Sequence, residues 1–252
     1  MCLILVAWKI DPEYPLVLAA NRDEFHHRPT QSLHRWQDKP AVVAGRDLQA
    51  GGTWLGASRS GRVAAVTNYR EGKPGKRGTS SRGEIVTAFL TSSASSETFA
   101  GSIECDSYAG FSLLTIDADD LCYTSNRGDE ARRLPPGIYG LSNASLDTPW
   151  PKLVRTRESF RKIIAAGDVN ETSLMRILSD RHMSPATEIE PGSLPFALAR
   201  AVTAPFIVTP EYGTRCTTVV LRDPAGQTQM SERRFDAAGT QVGESRLTIA
   251  AN

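Results

Sequence analysis

The chain opens with Met1-Cys2-Leu3-Ile4-Leu5-Val6-Ala7-Trp8, and a second apolar stretch, Pro15 to Ala20, runs directly into Asn21-Arg22-Asp23-Glu24. The two stretches are rich in Leu, Val and Ile and are separated by turn-prone residues 11–15, so they predict a hairpin of two buried strands. The first stretch meets Lys9 after six apolar residues and has no basic segment before it. It is too short for a secretory signal or a membrane span, and we read it as a strand.

The bulk composition is that of a globular protein with a core. The chain has 252 residues, 40% of them hydrophobic and 23% charged, and its formal net charge is +1. This balance gives no electrostatic reason to expect nucleic acid or an anionic membrane as partner. We expect one domain, residues 1–252, with no transmembrane segment.

The cysteines indicate a reducing compartment. They are widely scattered and include neither a CxxC pair nor Cys and His at zinc-binding spacing, which favours a reduced, cytoplasmic chain. We read Cys105 and Cys122 as ordinary buried thiols. The four positions are Cys2, Cys105, Cys122 and Cys216.

The pattern of elements predicts an α+β fold, because strands come first, helices occupy the centre and strands close the chain. After the hairpin we expect an irregular segment over 25–40, with a β meander up to Asn68, and a long loop over 183–214, which holds five prolines. The predicted strands are 41–45, 53–57, 62–68, 110–117, 121–126, a short one ending in Gly140-Leu141-Ser142-Asn143, 217–222, 228–235 and 245–250. The predicted helices begin at Ser80 or Ser81, span 97–104 and 152–166, and begin again after the N-cap Asn170.

Cys2 has a position suited to nucleophilic catalysis. Removal of Met1, which the small cysteine side chain favours, would leave the thiol and a free α-amino group on one residue. An α-amino group titrates near about 8, where a general base works well at neutral pH. A Cys-His-Asn arrangement has little support, because three of the four histidines lie in one loop. The alternative is that Cys2 merely begins a strand.

The charged cluster at residues 21–24 supports the catalytic interpretation. It stands at the end of an otherwise apolar strand, where charges must be paired or solvated. A hairpin brings the end of its second strand back to the start of its first. We therefore expect the cluster to lie close to Cys2, the alternative being a surface turn.

Four motifs, spread over most of the chain, carry a family resemblance. They are Met1-Cys2-Leu3-Ile4, Ala20-Asn21-Arg22-Asp23-Glu24, Gly51-Gly52-Thr53-Trp54-Leu55-Gly56 and Tyr212-Gly213-Thr214-Arg215. Together they resemble the NRDE family, which includes the transport and Golgi organisation proteins, from residue 2 to about residue 222. That family is similar in turn to the N-terminal-nucleophile hydrolases. The resemblance implies their four-layer αββα fold, in which two antiparallel sheets lie between layers of helices.

Within that superfamily the chain resembles the cysteine branch, the penicillin V acylases and bile salt hydrolases. The resemblance makes Cys2 the nucleophile and gives Arg22 and Asp23 the role of holding the thiol and the free amine. One feature departs from the branch, because its Arg and Asp are separated by two residues whereas here they are adjacent. Neighbours on a strand point to opposite faces, which puts in question whether both reach Cys2. Asn21 or Asp23 is then the candidate for the second role.

The resemblance also assigns three residues further along the chain. Asn68, at the end of a predicted strand, corresponds to the asparagine of the oxyanion hole, Asn143 to a second functional asparagine, and Arg215 to a distal arginine. An amide donor beside a cysteine is what a tetrahedral oxyanion requires, and one such donor is worth roughly 3 kcal/mol. Taken alone, an asparagine here is more often a turn residue than an oxyanion donor, and it is the strand end together with the resemblance that favours the donor.

The remaining candidates concern ligand binding. The loop over 70–78 is basic and rich in glycine, so Lys73, Lys76 and Arg77 are candidates to bind a phosphate or carboxylate close to the Cys2 site. Trp54 and Asn21 complete the candidate binding residues. His26, His27 and His34 fit no zinc pattern, so we predict no metal site and read them as surface residues.

The sequence leaves two functions open. In the first, the protein hydrolyses an amide or related acyl bond of a small molecule through an acyl-Cys2 intermediate and requires no cofactor. In the second, the same scaffold carries haem or an acyl-CoA-like hydrophobic anion without turnover, since members of the family are associated with haem trafficking. Fold alone does not decide between them.

Overall fold

The computed structural model describes residues 2–71, 78–128, 130–189, 192 and 194–250. Two antiparallel sheets lie face to face, and helices cover the outer face of each, which confirms the predicted α+β class and its four-layer αββα arrangement. The first sheet contains, in spatial order, β10 (Gly137–Leu141), β1 (Leu3–Trp8), β2 (Leu16–Phe25), β11 (Tyr212–Arg222), β12 (Thr228–Phe235) and β13 (Gln241–Ile249). The second contains β3 (Thr30–Arg35), β4 (Val42–Asp47), β5 (Leu55–Ser58), β6 (Val63–Asn68), β7 (Phe111–Ile116), β8 (Leu121–Ser125) and β9 (Arg132–Leu134).

Four of the five α-helices in the described residues form the outer layers. Helices α1 and α2 lie on the second sheet, and α3 and α4 lie on the first. Their bounds are α1 (Arg82–Thr91), α2 (Ser96–Gly101), α3 (Pro151–Ala165), α4 (Glu171–Leu178) and α5 (Phe196–Ala201). Single 3-10 turns occupy Cys105–Ser107 and Ala186–Glu188. The predicted caps are confirmed, since Ser81 accepts from Gly83 at the start of α1 and Asn170 accepts from Ser173 at the start of α4.

The opening strand is apolar throughout because both of its faces are buried. Ile4, Val6 and Trp8 point into the core between the two sheets, whereas Leu3 and Leu5 pack against the helical layer formed by α3 and α4. Alternate side chains of a strand point to opposite faces, so a strand in the middle of a sandwich needs apolar residues at every position. Burial on both faces fixes the position of β1 between its neighbouring strands. The position of Cys2, which directly precedes β1, is thereby fixed as well.

Several expectations from the sequence are wrong. The segment predicted as irregular contains β3, in which Leu33 is the one buried side chain and the others are half-buried or exposed, so it lacks an alternating apolar signal. The segment 183–214 contains α5 and the start of β11 rather than one long loop. The predicted meander is divided, because β1 and β2 belong to one sheet and β3 to β6 to the other. Cys105 is exposed, whereas Cys122 is buried as expected.

No helix in the described part of the chain has the length and apolar character needed to cross a bilayer.

Gly52 allows the loop before β5 to contact the start of α1. A Cβ at this position would lie 2.4 Å from the carbonyl carbon of Gly83 and 2.6 Å from its oxygen. We expect Gly52→Ala to lower the free energy of unfolding by about 1–3 kcal/mol, because backbone must move to relieve the overlap. Gly101→Ala is the matched control, with nothing within 4 Å of the added methyl group, and urea unfolding should place it within about 0.5 kcal/mol of wild type. Equal midpoints for the two variants would contradict this account.

Candidate active site

Strand register places Cys2 between two of the predicted site residues. Leu3 pairs with Asn21 on β2, so the next pair outward would join Cys2 and Arg22. Ile4 pairs with Leu141 on β10, and the same continuation joins Cys2 and Asn143. The hydroxyl of Ser142 donates to the carbonyl oxygen of Cys2 at 2.9 Å, which holds this row together.

Cys2 lines a cavity of about 550 Å³ at the end of the two sheets, which we call the Cys2 cavity. The first sheet contributes charged residues from the end of β2, the second sheet contributes the end of β6, and α1 contributes its first turn and N-cap. The lining includes Arg22, Asp23, Glu24, Arg28, Asp47, Gln49, Trp54, Asn68, Ser81 and Arg82.

Arg22 is fixed between the sheets. Only 5% of its side chain is exposed; it donates to the hydroxyl of Thr30 at 3.0 Å, and its guanidinium lies 3.9 Å from the carboxylate of Asp47. The guanidinium also lies 4.2 Å from the centre of the Trp54 ring, a cation–π contact that covers that face of the indole. Trp54 therefore contributes to the Cys2 cavity chiefly as the support of Arg22.

Asp23 lies on the opposite side of β2 and still reaches the Cys2 cavity. Its carboxylate accepts a hydrogen bond from the hydroxyl of Thr214 at 2.7 Å. Burial raises the pKa of this carboxyl group, while the positive charge at the chain terminus, then Lys152, the Thr214 hydrogen bond and Arg22 lower it. The adjacency of Arg22 and Asp23 thus does not separate them, because Cys2 lies at the sheet end, where side chains from both faces are within reach.

A β-bulge accompanies this arrangement. Arg22 pairs with Cys216 and Asp23 with Thr214, so Arg215 is the extra residue of β11. A bulge increases the local twist of a strand and changes the direction of its side chains. The bulge therefore lies at the point where consecutive residues of β2 approach one thiol.

The two candidate asparagines occupy different positions. Asn68 is the exposed last residue of β6 and lines the Cys2 cavity. Asn143 is buried, and its side-chain amide donates to the backbone carbonyl of Asn68 at 2.8 Å. The carbonyl of Asn143 in turn accepts from the backbone amide of Arg70 at 2.7 Å. Asn68 is thus the amide that faces the Cys2 cavity, and Asn143 holds the strand end from which it projects.

Asn21 and Arg215 do not line the Cys2 cavity. The amide of Asn21 donates to the carbonyls of Leu178 and Pro205 at 2.8 and 2.9 Å, and its oxygen accepts from Thr217. This side chain has both hydrogens and its oxygen in use, so it joins β2 to the neighbouring segments rather than binding a substrate. Arg215 donates to the carbonyls of Phe25 and Arg28, at 2.8 and 3.1 Å, and so clamps the turn after β2.

The histidines do not line the Cys2 cavity, and the candidate residues of the basic loop cannot be placed relative to it. Lys73, Lys76 and Arg77 lie outside the described residues. His26 and His34 each have a ring nitrogen within hydrogen-bond distance of a backbone carbonyl, at 3.0 and 2.7 Å. Among the residues that the structure covers, no group of three or more His, Cys, Asp or Glu is placed to hold a metal ion.

Burial and neighbouring charges shift the pKa of the Cys2 thiol in opposite directions. Burial raises the pKa of the thiol, and the Asp23 carboxylate raises it further. The positive charge at the chain terminus, the backbone amide of Asp23 and the Arg22 guanidinium act in the opposite direction. Burial prevails, so a chain that retains Met1 holds this thiol protonated at neutral pH, and a base is needed to make it a nucleophile.

Lys152 is a site residue that the sequence analysis missed. It belongs to the first turn of α3 and is only 2% exposed, and burial lowers the pKa of its ammonium, with Asp23 and Cys2 opposing that effect. A lysine in the first turn of a helix is unfavourable to the helix dipole. That misplaced charge, after Trp150-Pro151, was the one signal available in the sequence.

We expect Arg22→Met to slow alkylation of Cys2 by iodoacetamide at pH 7 by about tenfold, the equivalent of one pKa unit. The reason is that the variant removes a buried positive charge that favours the thiolate. Arg28→Met is the matched control, since Arg28 lines the same cavity and pairs with the same Asp47 but is 26% exposed, so solvent screens its charge. Peptide mass mapping measures both rates, and equal slowing in the two variants would contradict a specific role for Arg22.

Comparison with known proteins gives a family and a fold. The family model Transport and Golgi organisation 2 matches residues 1–237. A Transport and Golgi organization protein 2 homolog from Bos taurus is 37% identical over 258 residues, covering 92% of this chain and 92% of that protein. The homolog from Homo sapiens is 35% identical, and the match again covers 92% of each chain.

A crystal structure of a mutant conjugated bile acid hydrolase from Clostridium perfringens superposes with a TM-score of 0.56 at 8% identity, covering 98% of this chain and 92% of that one. This likeness confirms the N-terminal-nucleophile-hydrolase fold.

Proposed function

We propose, from the premise that the chain belongs to the Transport and Golgi organisation 2 family, that it hydrolyses an amide or related acyl bond of a small molecule. Cys2 would be the N-terminal nucleophile after removal of Met1. The observation that supports this most is the arrangement at the Cys2 cavity, where Cys2 lies with Arg22, Asp23 and Asn68. The fold, shared with the conjugated bile acid hydrolase, supports it further.

In the first step, the free α-amino group of Cys2 would take the proton of its own thiol. The resulting thiolate attacks the carbonyl carbon of the substrate, and the carbonyl oxygen becomes an oxyanion. Asp23, buried beside Cys2, would orient the amine and stabilise its protonated form. Arg22 would favour the thiolate by its charge. In this division Asp23 would act on the amine of Cys2 and Arg22 on its thiolate.

The oxyanion requires a donor, and Asn68 is the amide in the described part of the Cys2 cavity that follows directly from a strand of the second sheet. The protonated amine then transfers its proton to the leaving nitrogen, which departs as an amine and leaves a thioester on Cys2. Water, deprotonated by the same amine, hydrolyses the thioester and releases the acid. The cycle balances with one water consumed for each bond cleaved and needs no cofactor.

The second candidate is a carrier without turnover, and the raised pKa of the Cys2 thiol favours it. An anion of the acyl-CoA type suits this alternative better than haem. Ligand pockets are lined mostly by apolar side chains, and a haem macrocycle needs such walls, whereas the Cys2 cavity carries three arginines and three acids. Titration with haem, followed at its Soret band, tests the haem version, and we expect no saturable shift at micromolar haem.

The pH dependence of Cys2 alkylation should differ between the chain that bears Met1 and the processed chain. Burial raises the pKa of the Cys2 thiol above its ordinary value in the chain that bears Met1, so its alkylation rate should still rise at a pH where an ordinary thiol has reached its plateau. Below the pKa that rise is about tenfold per pH unit, because the thiolate is the nucleophile. In the processed chain the ammonium is on Cys2 itself, so the plateau should come at lower pH.

A removable N-terminal extension supplies the two forms, and iodoacetamide labelling followed by peptide mass mapping measures the rate at Cys2 in each. The exposed Cys105 serves as an internal control whose profile stays the same in both forms. Superimposable Cys2 profiles in the two forms would end the proposal that the free amine acts on the thiol. We also propose a cytoplasmic location, because all four cysteines are free, as is usual in a reducing compartment.

A further inference from the structure

A second cavity, which we call the Lys152 cavity, is lined by Ser142, Asn143 and Lys152. Its volume is about 230 Å³, room for roughly eight water molecules at about 30 Å³ each. Apolar walls come from Trp150, Pro151, Ile189, Ala199 and Val202. This volume is smaller than the roughly 300–1,000 Å³ of sites for drug-sized ligands, so it suits a short ligand or one end of a longer one.

The ammonium of Lys152 in this wall lacks a partner. The side chain is 2% exposed, and its Nζ makes no hydrogen bond to any residue that the structure describes. A buried charge without a partner costs several kcal/mol by order of magnitude, so a protein retains one only where something compensates it. Asp23 contributes favourably at longer range but makes no ion pair with Lys152 within 4.0 Å among the described residues.

The other polar groups of the Lys152 cavity are consistent with an anion. Arg70 adds a second cationic side chain to the lining, and Glu188 is the acid that faces them. Ser184 contributes a hydroxyl that donates as readily as it accepts, whereas the hydroxyl hydrogen of Ser142 is already donated to the carbonyl of Cys2. Cations, a hydroxyl donor and apolar walls together fit a molecule with an anionic head and a short apolar body.

We infer that the Lys152 cavity binds the carboxylate or phosphate group of a small organic ligand, with Lys152 as its ion-pair partner. Ser142 and Asn143 line this cavity, and they also bond the backbone of Cys2 and of Asn68 in the Cys2 cavity. A ligand anchored at Lys152 would therefore extend toward the thiol. The assignment of this anion to the substrate rests on the proposed function, whereas the binding itself does not.

Calorimetry on full-length Cys2→Ala protein tests the binding without turnover, using hexanoate, hexyl phosphate and hexanol as probes. We expect saturable binding of at least one anion and at least fivefold weaker binding of hexanol, which shares the apolar body but not the charge. The tighter of the two anions identifies the head group. Lys152→Met, added to the same background, should weaken the preferred anion at least fivefold.

Two control variants separate this site from general charge effects. Lys162→Met makes the same substitution at an exposed position of α3, and Arg28→Met removes a cation from the Cys2 cavity. Both should leave the Kd unchanged. The inference is overturned if no probe binds saturably, if hexanol binds as tightly as the anions, or if Lys152→Met loses less than fivefold.

If Lys152→Met fails to fold, the inference is still tested by the Cys2→Ala protein, which retains Lys152. In that protein the anions must bind at least fivefold more tightly than hexanol. Thermal melts show directly whether Lys152→Met folds. Binding of hexanoate together with absence of any hydrolase activity in the Cys2-containing protein would leave the anion site standing and remove the proposed reaction. The two proposals therefore fail separately.

Discussion

Cys2→Ala should abolish the release of 4-nitrophenolate from 4-nitrophenyl acetate, both the initial burst and the steady turnover. The reason is that, among the described residues of the Cys2 cavity, Cys2 is the one thiol that could accept the acyl group. Lys152 is kept from the same role by its position in a second cavity. Loss to the background rate in buffer is the expected result, measured by absorbance on the processed, full-length chain.

Cys105→Ala is the matched control for this substitution. Cys105 is exposed and is not one of the residues that line the Cys2 cavity. The control should retain the burst in full. A burst that survives in Cys2→Ala and disappears in Cys105→Ala would show that an ordinary surface thiol carries the reaction, and the proposed function would be wrong.

Asn68→Ala should lower the rate of acyl transfer by about 10²–10³, the usual effect of removing one oxyanion donor. The loss should appear in the rate of the chemical step and not in the concentration of ester that gives half the maximal burst, because the donor acts on charge that develops in the transition state. Asn68 is exposed at the end of β6, so truncation of its side chain should leave the unfolding midpoint close to that of wild type.

Gln49→Ala provides the control, since Gln49 also carries an amide side chain into the lining of the Cys2 cavity. Its rate should stay within twofold of wild type. Asn143→Ala should behave differently again, because it removes the hydrogen bond that holds the Asn68 backbone and leaves a buried gap. Equal losses in Asn68→Ala and Gln49→Ala would indicate a general change of the cavity instead of a lost oxyanion donor.

Local signals in the sequence predicted most strands and helices and the α+β class, whereas the four-layer arrangement was implied by the family resemblance. The hairpin, the caps at Ser81 and Asn170 and the closing strands each follow from apolar patterning and capping chemistry. The strand β3 was not predicted because it lies at the edge of its sheet and has one buried side chain, Leu33, so it shows no alternating apolar pattern. The division of the first six strands between two sheets was also hidden, because it depends on which strands pair across long separations in the chain.

The parts of the site that depend on strand register within the hairpin could be predicted from the sequence. Arg22 could be placed beside Cys2 from the hairpin alone, since the register of β1 and β2 follows from two adjacent apolar runs. The position of Asn143 required the pairing of β1 with β10, which are far apart in the chain. Lys152 was missed because its burial depends on how α3 packs on the first sheet, and no local pattern encodes that contact.

The adjacency of Arg22 and Asp23 shows the limit of strand periodicity as an argument. Alternation holds inside a sheet, and it predicts that these two side chains diverge. At the end of the sheet, next to the bulge at Arg215, both line one cavity. Asn21, one residue further inside, obeys the rule and is committed to backbone carbonyls.

The intact mass of the full chain, taken before and shortly after exposure to 4-nitrophenyl acetate at neutral pH, tests the central claim most directly. The account predicts a chain without Met1 that gains one acetyl group, maps it to Cys2, and loses it with time as the thioester is hydrolysed. A chain that retains Met1 would contradict it, as would acetylation elsewhere with Cys2 unmodified.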